Sequence, residues 1–446
     1  MIGIVVSRAD RASSHIGEHL RDLTDWTTEE DETRAESDGG GTVFRTTGFE
    51  LREFDALHLE IDGIAEAFDD PDLVVFASKH AGDTGRFLTA HHTGNFGPAE
   101  FGGGANAFAE AAPNVHTRVV RVLTEHAPAN YDVGMECTHH GPTDVGRPSL
   151  FVELGSSEEE WNDPAGARAV AKAILDLDGT DPHRERQVVG FGGGHYVPRF
   201  ERVVRETDWA VGHVGADWAL DAMGAAENHE KVIERAFERS GATRAVVEGT
   251  KPELRSVVED LGYRVVSETW LRETTGVPLA FVAHAEDELG TVDDGLRFGE
   301  PARTDGDGVG GAVLERLPSE LVAEAEGIDR EGAHAVVERH ALGFDTHESG
   351  TRLADRVLLA RADDRDSIVE GFADLLEGKY ASVERHDGEL VARETAFDPA
   401  AAREAGVPEG PEFGALADGE AVTVDGRTIP PEAVHAEHVR RFARRE

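Results

Sequence analysis

The sequence is poor in cysteine, in basic residues and in long apolar runs. Its single cysteine, Cys137, excludes an internal disulfide. No apolar stretch approaches the roughly 18 to 20 residues that cross a bilayer. The segment from Met1 to Asp10 has neither a charged leader nor a cleavage site. The sequence therefore predicts a cytoplasmic protein without membrane contact.

The shortage of basic residues gives the chain an extreme net charge. Forty-four Lys and Arg stand against 88 Asp and Glu, which leaves a formal charge of −44. Such a surface repels itself at moderate ionic strength, but the Debye length falls to about 3 Å at 1 M salt. The composition therefore indicates a halophilic protein that works in concentrated salt. Under that screening, the negative charge does not exclude a nucleic-acid partner. Local arginine clusters then matter more for phosphate binding than the net charge of the whole chain.

The length of 446 residues is enough for two or three domains. Up to residue 284, short Val/Ile/Leu-rich runs alternate with amphipathic stretches, which predicts an α/β domain with a mostly parallel sheet flanked by helices. Residues 285–311 are rich in Gly and Asp and are predicted as a linker. Residues 312–446 are predicted to form a smaller α+β C-terminal domain of unknown role. The acidic stretch 24–41 lacks periodicity and is predicted as a solvated loop.

Four polar clusters follow apolar runs or lie in Gly-rich turns, and they contain most of the candidate chemistry. In open parallel sheets ligands bind beyond the carboxyl ends of the strands, so these clusters could converge. A single histidine pair is weak evidence, because 21 histidines make about one such pair by chance. The clusters are residues 78–82, 88–95, 135–144 and 190–199.

The ligand types in these clusters predict a zinc site. Neutral imidazole and carboxylate suit Zn²⁺, and a catalytic site keeps one position open for water. Side chains alternate along a strand, so only one of His139 and His140 can face a given metal unless the backbone turns first. We predict Glu136 and His140 as ligands together with His92 and His195. His139 is then a general acid or a partner that contacts one of the metal ligands.

Other chemistries have less support in the sequence. The stretch 190–195 resembles a dinucleotide fingerprint, but His195 stands where the third glycine is required. A Cys137 nucleophile with a neighbouring histidine stays open, although adjacent strand residues make poor hydrogen-bond partners. There is neither a G-x-S-x-G elbow nor a P-loop.

The same clusters resemble the archaeal and plant type of D-aminoacyl-tRNA deacylase. The resemblance also includes the opening and closing stretches of the first 284 residues, and many separate motifs in order are specific. The motifs that carry the resemblance are Ile4-Val5-Val6-Ser7, Ser78-Lys79-His80, His91-His92-Thr93-Gly94-Asn95, Glu136-Cys137-Thr138-His139-His140-Gly141-Pro142, Glu153-Leu154-Gly155-Ser156-Ser157 with Trp161, Gly190-Phe191-Gly192-Gly193-Gly194-His195-Tyr196 with Pro198, Leu271-Arg272-Glu273 and Gly276-Val277-Pro278-Leu279.

This resemblance implies a zinc-dependent hydrolase that cuts the ester between a D-amino acid and the 3′ end of tRNA. It also implies an α/β fold related to phosphorylases and to bacterial peptidyl-tRNA hydrolases. The expected partner is D-aminoacyl-tRNA, with no membrane and no obligate protein partner. In the expected reaction a zinc-activated water attacks the ester while a donor stabilises the oxyanion. Lys79 is the candidate donor, or alternatively a contact to the terminal phosphate. Phosphate contacts are expected from Arg86, Arg199 and Arg202.

The chain departs from the family pattern in the loop 24–41 and after Ala285. Residues 406–414 in the C-terminal extension resemble a short segment of the zinc nucleases that process tRNA 3′ ends. Two other functions therefore stay open. One is a metal-dependent nuclease or phosphodiesterase acting on tRNA, and the other is a non-catalytic tRNA-binding protein with structural zinc.

Overall fold

A computed structural model describes residues 1–304 and 311–444. The chain divides into two compact units, one spanning Met1–Arg272 and the other beginning at Glu273. Within residues 285–304, which the sequence predicts as part of a linker, the structure has the end of one helix, a short strand and a further helix. Residues 305–310 of the predicted linker lie outside the described residues. No helix in the described ranges combines the length and apolar character that a membrane span needs.

The first unit contains an eight-stranded sheet with four parallel and three antiparallel strand pairs. Its order is β2-β3-β4-β1-β5-β8-β6-β7. The pairs of β1 with β4 and β5, of β5 with β8, and of β6 with β7 are parallel. The strands are β1 (Ile2–Ser7), β2 (Thr27–Asp31), β3 (Gly41–Thr46), β4 (Phe49–Phe54), β5 (Leu73–Ala81), β6 (Phe87–His91), β7 (Asp132–Val133) and β8 (Ser149–Ser156).

A second, fully parallel sheet and nine helices complete this part of the chain. The strands β9 (Gln187–Phe191), β10 (Ala210–Gly215), β11 (Arg244–Val247) and β12 (Arg264–Val266) have the order β10-β9-β11-β12. The helices are α1 (Arg11–Leu23), α2 (Pro113–His126), α3 (Glu158–Trp161), α4 (Pro164–Leu175), α5 (Pro198–Glu206), α6 (Asp217–Met223), α7 (Glu230–Ser240), α8 (Pro252–Asp260) and α9 (Glu268–Thr274). The prediction of a mixed α/β fold with mostly parallel sheets is confirmed.

The central strands of the large sheet are buried on both faces. Alternate residues of β1 and β5, such as Ile4 and Val75, pack in one apolar cluster with helices α1, α2 and α4. The intervening residues, such as Val5 and Phe76, pack in a second cluster on the opposite face. This period of two fixes which side chains reach each face.

The stretch 24–41 contains a strand that the sequence analysis missed. Thr27–Asp31 pairs antiparallel with Gly41–Thr46 at the edge of the large sheet. Four of its five residues are exposed, so neither face is apolar and the strand leaves no alternating hydrophobic pattern. The prediction of a loop was therefore wrong for these residues.

The second unit contains antiparallel sheets and helices. The sheet orders are β13-β15-β16-β14, β17-β18-β21 and β19-β20. The strands are β13 (Arg297–Phe298), β14 (Val313–Arg316), β15 (Gly343–His347), β16 (Arg352–Leu359), β17 (Ser382–Arg385), β18 (Glu389–Phe397), β19 (Val422–Val424), β20 (Arg427–Ile429) and β21 (His435–Ala443). The helices are α10 (Leu279–Leu289), α11 (Glu300–Thr304), α12 (Ser319–Ile328), α13 (Arg330–His340), α14 (Asp364–Leu376), α15 (Pro399–Glu404) and α16 (Pro411–Ala417).

Helix α4 begins at Pro164, and its N-terminal cap can be tested. The Asp163 side chain accepts a hydrogen bond of 2.9 Å from the Ala165 backbone N–H, and Pro164 occupies the first turn. Asp163 also accepts from the Tyr131 hydroxyl at 3.0 Å. We expect Asp163→Ala to lower the free energy of unfolding by about 1 kcal/mol or more, because both donors lose their acceptor. Urea unfolding in molar KCl measures it, with Glu125→Ala on the exposed face of α2 as the control.

Candidate active site

Strand alternation gathers a set of polar side chains on the face of the large sheet that carries Phe76. Ser78 and His80 follow Phe76 at intervals of two along β5. In the neighbouring strand β8, Glu153 pairs with Ser78, and Thr89 and His91 of β6 lie on the same face as Glu153. These five polar side chains are all buried, and they share one face of the sheet with Phe76 and Phe151.

His92, predicted as a ligand, points away from this group. One residue beyond His91, its ring packs against His116 of α2 at 4.7 Å and against His213 of β10 at 5.7 Å between ring centroids. Its Nδ1 lies 3.2 Å from the Gly212 carbonyl oxygen. The alternation that the sequence analysis applied to residues 136–140 therefore selects His91 of the pair 91–92, and the choice of His92 is corrected.

The segment 134–140 is not a strand, so both of its histidines can enter the group. Regular strand pairing ends at Val133. At His140 the backbone φ is +42°, in the left-handed region that non-glycine residues rarely adopt. This turn places the rings of His139 and His140 4.4 Å apart and both within 5 Å of His91.

The candidate site is a continuous group of imidazoles and carboxylates, with Glu136 at its centre. The Glu136 Oε2 atom lies 2.7 Å from His195 Nε2 and 3.9 Å from His139 Nε2. Its Oε1 atom lies 3.2 Å from His80 Nδ1. Three overlapping sets have ligand atoms within 4.8 Å of one another: His91 with His139 and His140, Glu136 with His139 and His195, and His80 with Glu136 and Glu153.

Backbone carbonyls fix the ring orientation of three of these histidines. The Nδ1 atoms lie 3.1 Å from the His92 oxygen for His91, 2.9 Å from the Cys137 oxygen for His139 and 2.7 Å from the Gly141 oxygen for His140. Each contact requires the proton on Nδ1, which leaves the Nε2 lone pair free to ligate. The buried His91 Nε2 atom makes no hydrogen bond in the described residues, and it lies 3.5 Å from Glu153 Oε1. The donor set therefore fits a metal ion.

Electrostatics divide the group into charged and neutral members. Burial alone would raise the pKa of Glu136, but His195 and His80 hold it well below its usual range. Burial would lower the pKa of His80, but Glu136 and Glu153 raise it to about 10. Burial lowers the pKa of His140 to about 4, and that of His139 also falls. Burial would lower the pKa of His91, but Glu153 raises it. At neutral pH, the carboxylates of Glu136 and Glu153 and the His80 imidazolium therefore lie beside the neutral imidazoles of His139 and His140.

All members of the group except the fully buried His91 line a cavity of about 710 Å³. Its lining includes Lys79, Asn95 and the carboxylates of Asp10, Glu100, Glu136 and Glu153, together with apolar side chains such as Leu57, Phe101 and Trp218. This volume falls within the range of small-molecule sites.

The chain is similar to known proteins over nearly its whole length. A sequence model described as D-aminoacyl-tRNA deacylase matches residues 67–266, which include every member of the group. The D-aminoacyl-tRNA deacylase of Natronomonas pharaonis is 55% identical over 442 residues, covering 99% of this chain and 100% of the relative. That of Haloarcula marismortui is 53% identical over 453 residues, covering 99% and 100%. This chain belongs to the D-aminoacyl-tRNA deacylase family.

A solved structure supports the fold of this family member. The crystal structure of a conserved protein of unknown function is 27% identical, has a TM-score of 0.55, and covers 62% of this chain and 98% of its own. The two relatives named above come from salt-loving archaea, which agrees with the acidic composition of this chain.

Of the four basic residues predicted to contact the substrate, one lines the cavity and three do not. Lys79 lines the cavity, but its Nζ lies 5.3 Å from the ring centroid of Trp161. None of the three predicted arginines lines it. Arg86 pairs with Glu159 at 3.0 Å, and Arg199 and Arg202 both pair with Glu268, at 3.1 and 3.0 Å.

The surroundings of Cys137 disfavour it as a nucleophile. Burial, with the nearby Glu136 charge, raises the pKa of its thiol to about 12. The sulfur lies 3.5 Å from His195 Nδ1. At neutral pH the thiol therefore stays protonated, and a thiolate is the form that attacks.

Gly155 allows the close approach of His80. A methyl group at Gly155 would lie 2.6 Å from His80 Cβ and 2.7 Å from its Cδ2, closer than real Cβ atoms come. We expect Gly155→Ala to displace His80 and to lower kcat/KM for the family reaction by about 10- to 100-fold, because a misplaced group loses its alignment. Steady-state hydrolysis measures the effect. Gly388→Ala, where a methyl group meets nothing within 4 Å, is the control.

His80, His91 and Glu153 all stand in the sequence motifs that carry the family resemblance, but they are not among the predicted site residues. Each follows a buried strand residue at an interval of two, which is the signal that could have found them. The two carboxylates that contact His80 belong to Glu153 of β8 and to Glu136. No local sequence pattern predicts these contacts, because the three residues are far apart in the chain.

Proposed function

We propose that this chain, as a D-aminoacyl-tRNA deacylase, hydrolyses the ester between a D-amino acid and the 3′ end of tRNA at the His/Glu group. The observation that carries the proposal is the set of three imidazoles, His91, His139 and His140, whose ligand nitrogens lie within 4.8 Å of one another beside the Glu136 carboxylate, at a cavity of substrate size. The products are the free D-amino acid and tRNA.

Zinc is the proposed metal, held by His91, His139 and His140 with Glu136 and His195 adjoining. The support is the donor chemistry, because imidazole nitrogen with carboxylate oxygen suits Zn²⁺, and because carbonyl acceptors hold each Nδ1 proton. When bound, zinc supplies Lewis-acid polarisation and lowers the pKa of water toward about 7.

The chain's own residues then move the protons. Glu136 is a carboxylate at neutral pH and accepts the proton that the attacking water loses. His80, with its pKa raised to about 10 mainly by Glu136 and Glu153 against the effect of burial, is an imidazolium. It donates to the oxyanion and then to the ribose oxygen as the ester C–O bond breaks. The donor role proposed for Lys79 moves to His80, because the cation–π contact with Trp161 holds the ammonium of Lys79.

Contacts with the tRNA backbone remain proposed for Arg86, Arg199 and Arg202. All three have partly exposed side chains, so a phosphate can reach them. Glu268, which pairs with both Arg199 and Arg202, has to share them with the phosphate. A relation of the first unit to phosphorylases and peptidyl-tRNA hydrolases remains a prediction, as does a role for the unit that begins at Glu273.

The experiment compares D-tyrosyl-tRNA with L-tyrosyl-tRNA in molar KCl. We expect the D-ester to be hydrolysed at least about tenfold faster, because a chiral site excludes one configuration. Treatment with a chelator should abolish hydrolysis, and zinc should restore it. Equal turnover of the two esters would contradict the stereospecificity, and activity after complete demetallation would contradict the metal. Release of nucleotides from uncharged tRNA would support the nuclease alternative instead.

A further inference from the structure

Two large aromatic side chains are exposed at the cavity. Phe101 retains 67% of its accessible surface and Trp218 49%. Three other large apolar side chains are comparably exposed in the described residues, namely Val313, Leu314 and Val439, and none of them lines this cavity. An exposed apolar residue alone needs no explanation, but two aromatic rings at the opening of one catalytic cavity indicate a ligand with flat apolar faces.

Both rings stand on backbone that close packing holds in place. Trp218 lies in the first turn of α6, and Phe101 lies in the glycine-rich loop over residues 95–107. This loop reaches α6 at Gly97, where a methyl group would lie 2.8 Å from the Ala222 oxygen. It reaches the short helical turn His58–Glu60 at Gly102, where a methyl group would lie 2.4 Å from the Leu59 oxygen. The loop thus forms a fixed wall of the cavity.

A side-chain amide stabilises the same loop from within. Asn95 Nδ2 donates to the Gly102 oxygen at 3.0 Å and to the Gly104 oxygen at 3.2 Å. Trp218 lies beside the candidate catalytic group, since its ring is 6.3 Å from that of His195 at an interplanar angle of 28°. A group one ribose away from the reacting carbonyl therefore falls within reach of these rings.

The charge of the cavity favours an uncharged ligand portion at this position. Its lining carries four carboxylates, Asp10, Glu100, Glu136 and Glu153, against two cations, Lys79 and His80, so the balance of charge disfavours a phosphate. High salt weakens phosphate contacts further, whereas stacking between a base and an aromatic ring does not depend on charge. The ester of the proposed substrate is attached to the ribose of the tRNA's terminal adenosine, whose adenine is uncharged and flat.

We propose that Trp218 and Phe101 bind the terminal adenine of the tRNA by stacking and so place the ester at the His/Glu group. This proposal rests on the proposed function, because it takes the aminoacylated adenosine as the substrate end. Every tRNA ends in the same nucleoside, so such a contact serves all D-aminoacyl-tRNAs alike.

The first test measures steady-state hydrolysis of D-tyrosyl-tRNA in molar KCl by Trp218→Ala, Phe101→Ala and the control Val439→Ala. Loss of a stacking partner should raise KM by about tenfold or more for each cavity variant. The kcat at saturation should stay within about twofold, because the contact is made equally before and during the reaction. Val439→Ala should match the wild type. A fall in kcat with loss of bound metal in Trp218→Ala would make Trp218 a positioning residue for His195 and overturn the proposal.

The second test measures binding without hydrolysis. Uncharged tRNA with a complete CCA end should compete about tenfold better than tRNA lacking the terminal adenosine, and Trp218→Ala should abolish that difference. Adenosine should quench tryptophan fluorescence in the wild type more than cytidine does, and Trp218→Phe should remove the adenosine-specific part. Equal quenching in wild type and Trp218→Phe would overturn the proposal. A wild type that binds adenosine but does not hydrolyse D-tyrosyl-tRNA would contradict the proposed function and leave the adenine contact supported.

Discussion

His91→Ala is expected to lose bound metal and to lower kcat/KM by at least about 100-fold, whereas His92→Ala keeps its metal. The two histidines are neighbours in sequence and both are buried, but they project to opposite faces of β6. His91 Nε2 faces His139 and His140, and removal of this imidazole leaves an incomplete donor set. Metal content of the purified variants, measured by atomic emission, and hydrolysis of D-tyrosyl-tRNA check the expectation.

The paired design controls for the loss of a buried ring. Both substitutions create a cavity of similar size, so the temperature of thermal unfolding should fall by comparable amounts in the two variants. Loss of stability therefore cannot by itself explain a difference in metal content. If His92→Ala releases the metal and His91→Ala retains it, the ligand set assigned to this face of the sheet is wrong.

Glu136→Gln is expected to lower kcat by about 10²- to 10⁴-fold, since an amide of nearly the same shape cannot accept the proton of the attacking water. His195 and His80 lie within 3.2 Å of the Glu136 oxygens and would also lose their carboxylate partner. The pKa of His80, which burial lowers and Glu136 with Glu153 raises, should then fall toward its ordinary value. Single-turnover hydrolysis across a pH series measures both changes.

Glu100→Gln is the matched control for that variant. Glu100 lines the same cavity but is exposed and belongs to none of the sets that could hold a metal. Its substitution should change kcat by less than about twofold. Equal losses in the two variants would show that the overall charge of the cavity matters, and would remove the role of general base from Glu136.

Several parts of the fold followed from local pattern. Pro164 after Asp163 is a local signal for a helix start, and Ser157 three residues before Glu160 has the spacing of a capping box; the structure contains both, at α4 and α3. The parallel strands of the first unit followed from their apolar runs. The exposed edge strand Thr27–Asp31 did not, because a strand without a buried face has no hydrophobic period to detect.

The candidate site divides in the same way. Glu136, His139, His140 and His195 were predicted from their clusters, and the structure brings them together. The choice between His91 and His92 required the register of β6 against β8, which pairs His91 with Phe151. The placement of both His139 and His140 required the left-handed backbone at His140, which no residue type at that position predicts.

The amino-acid sequence by itself determined the acidic surface, the α/β class, the family and the residue types of the site, because these depend on composition, period and motif. Only the tertiary structure decided which imidazole of each pair enters the site, which carboxylates make His80 a cation, and which aromatic rings stand beside it. Those properties depend on distances between segments far apart in the chain. Burial strengthens the electrostatic interactions among the site residues, since charges that share a pocket away from water act on one another with little screening.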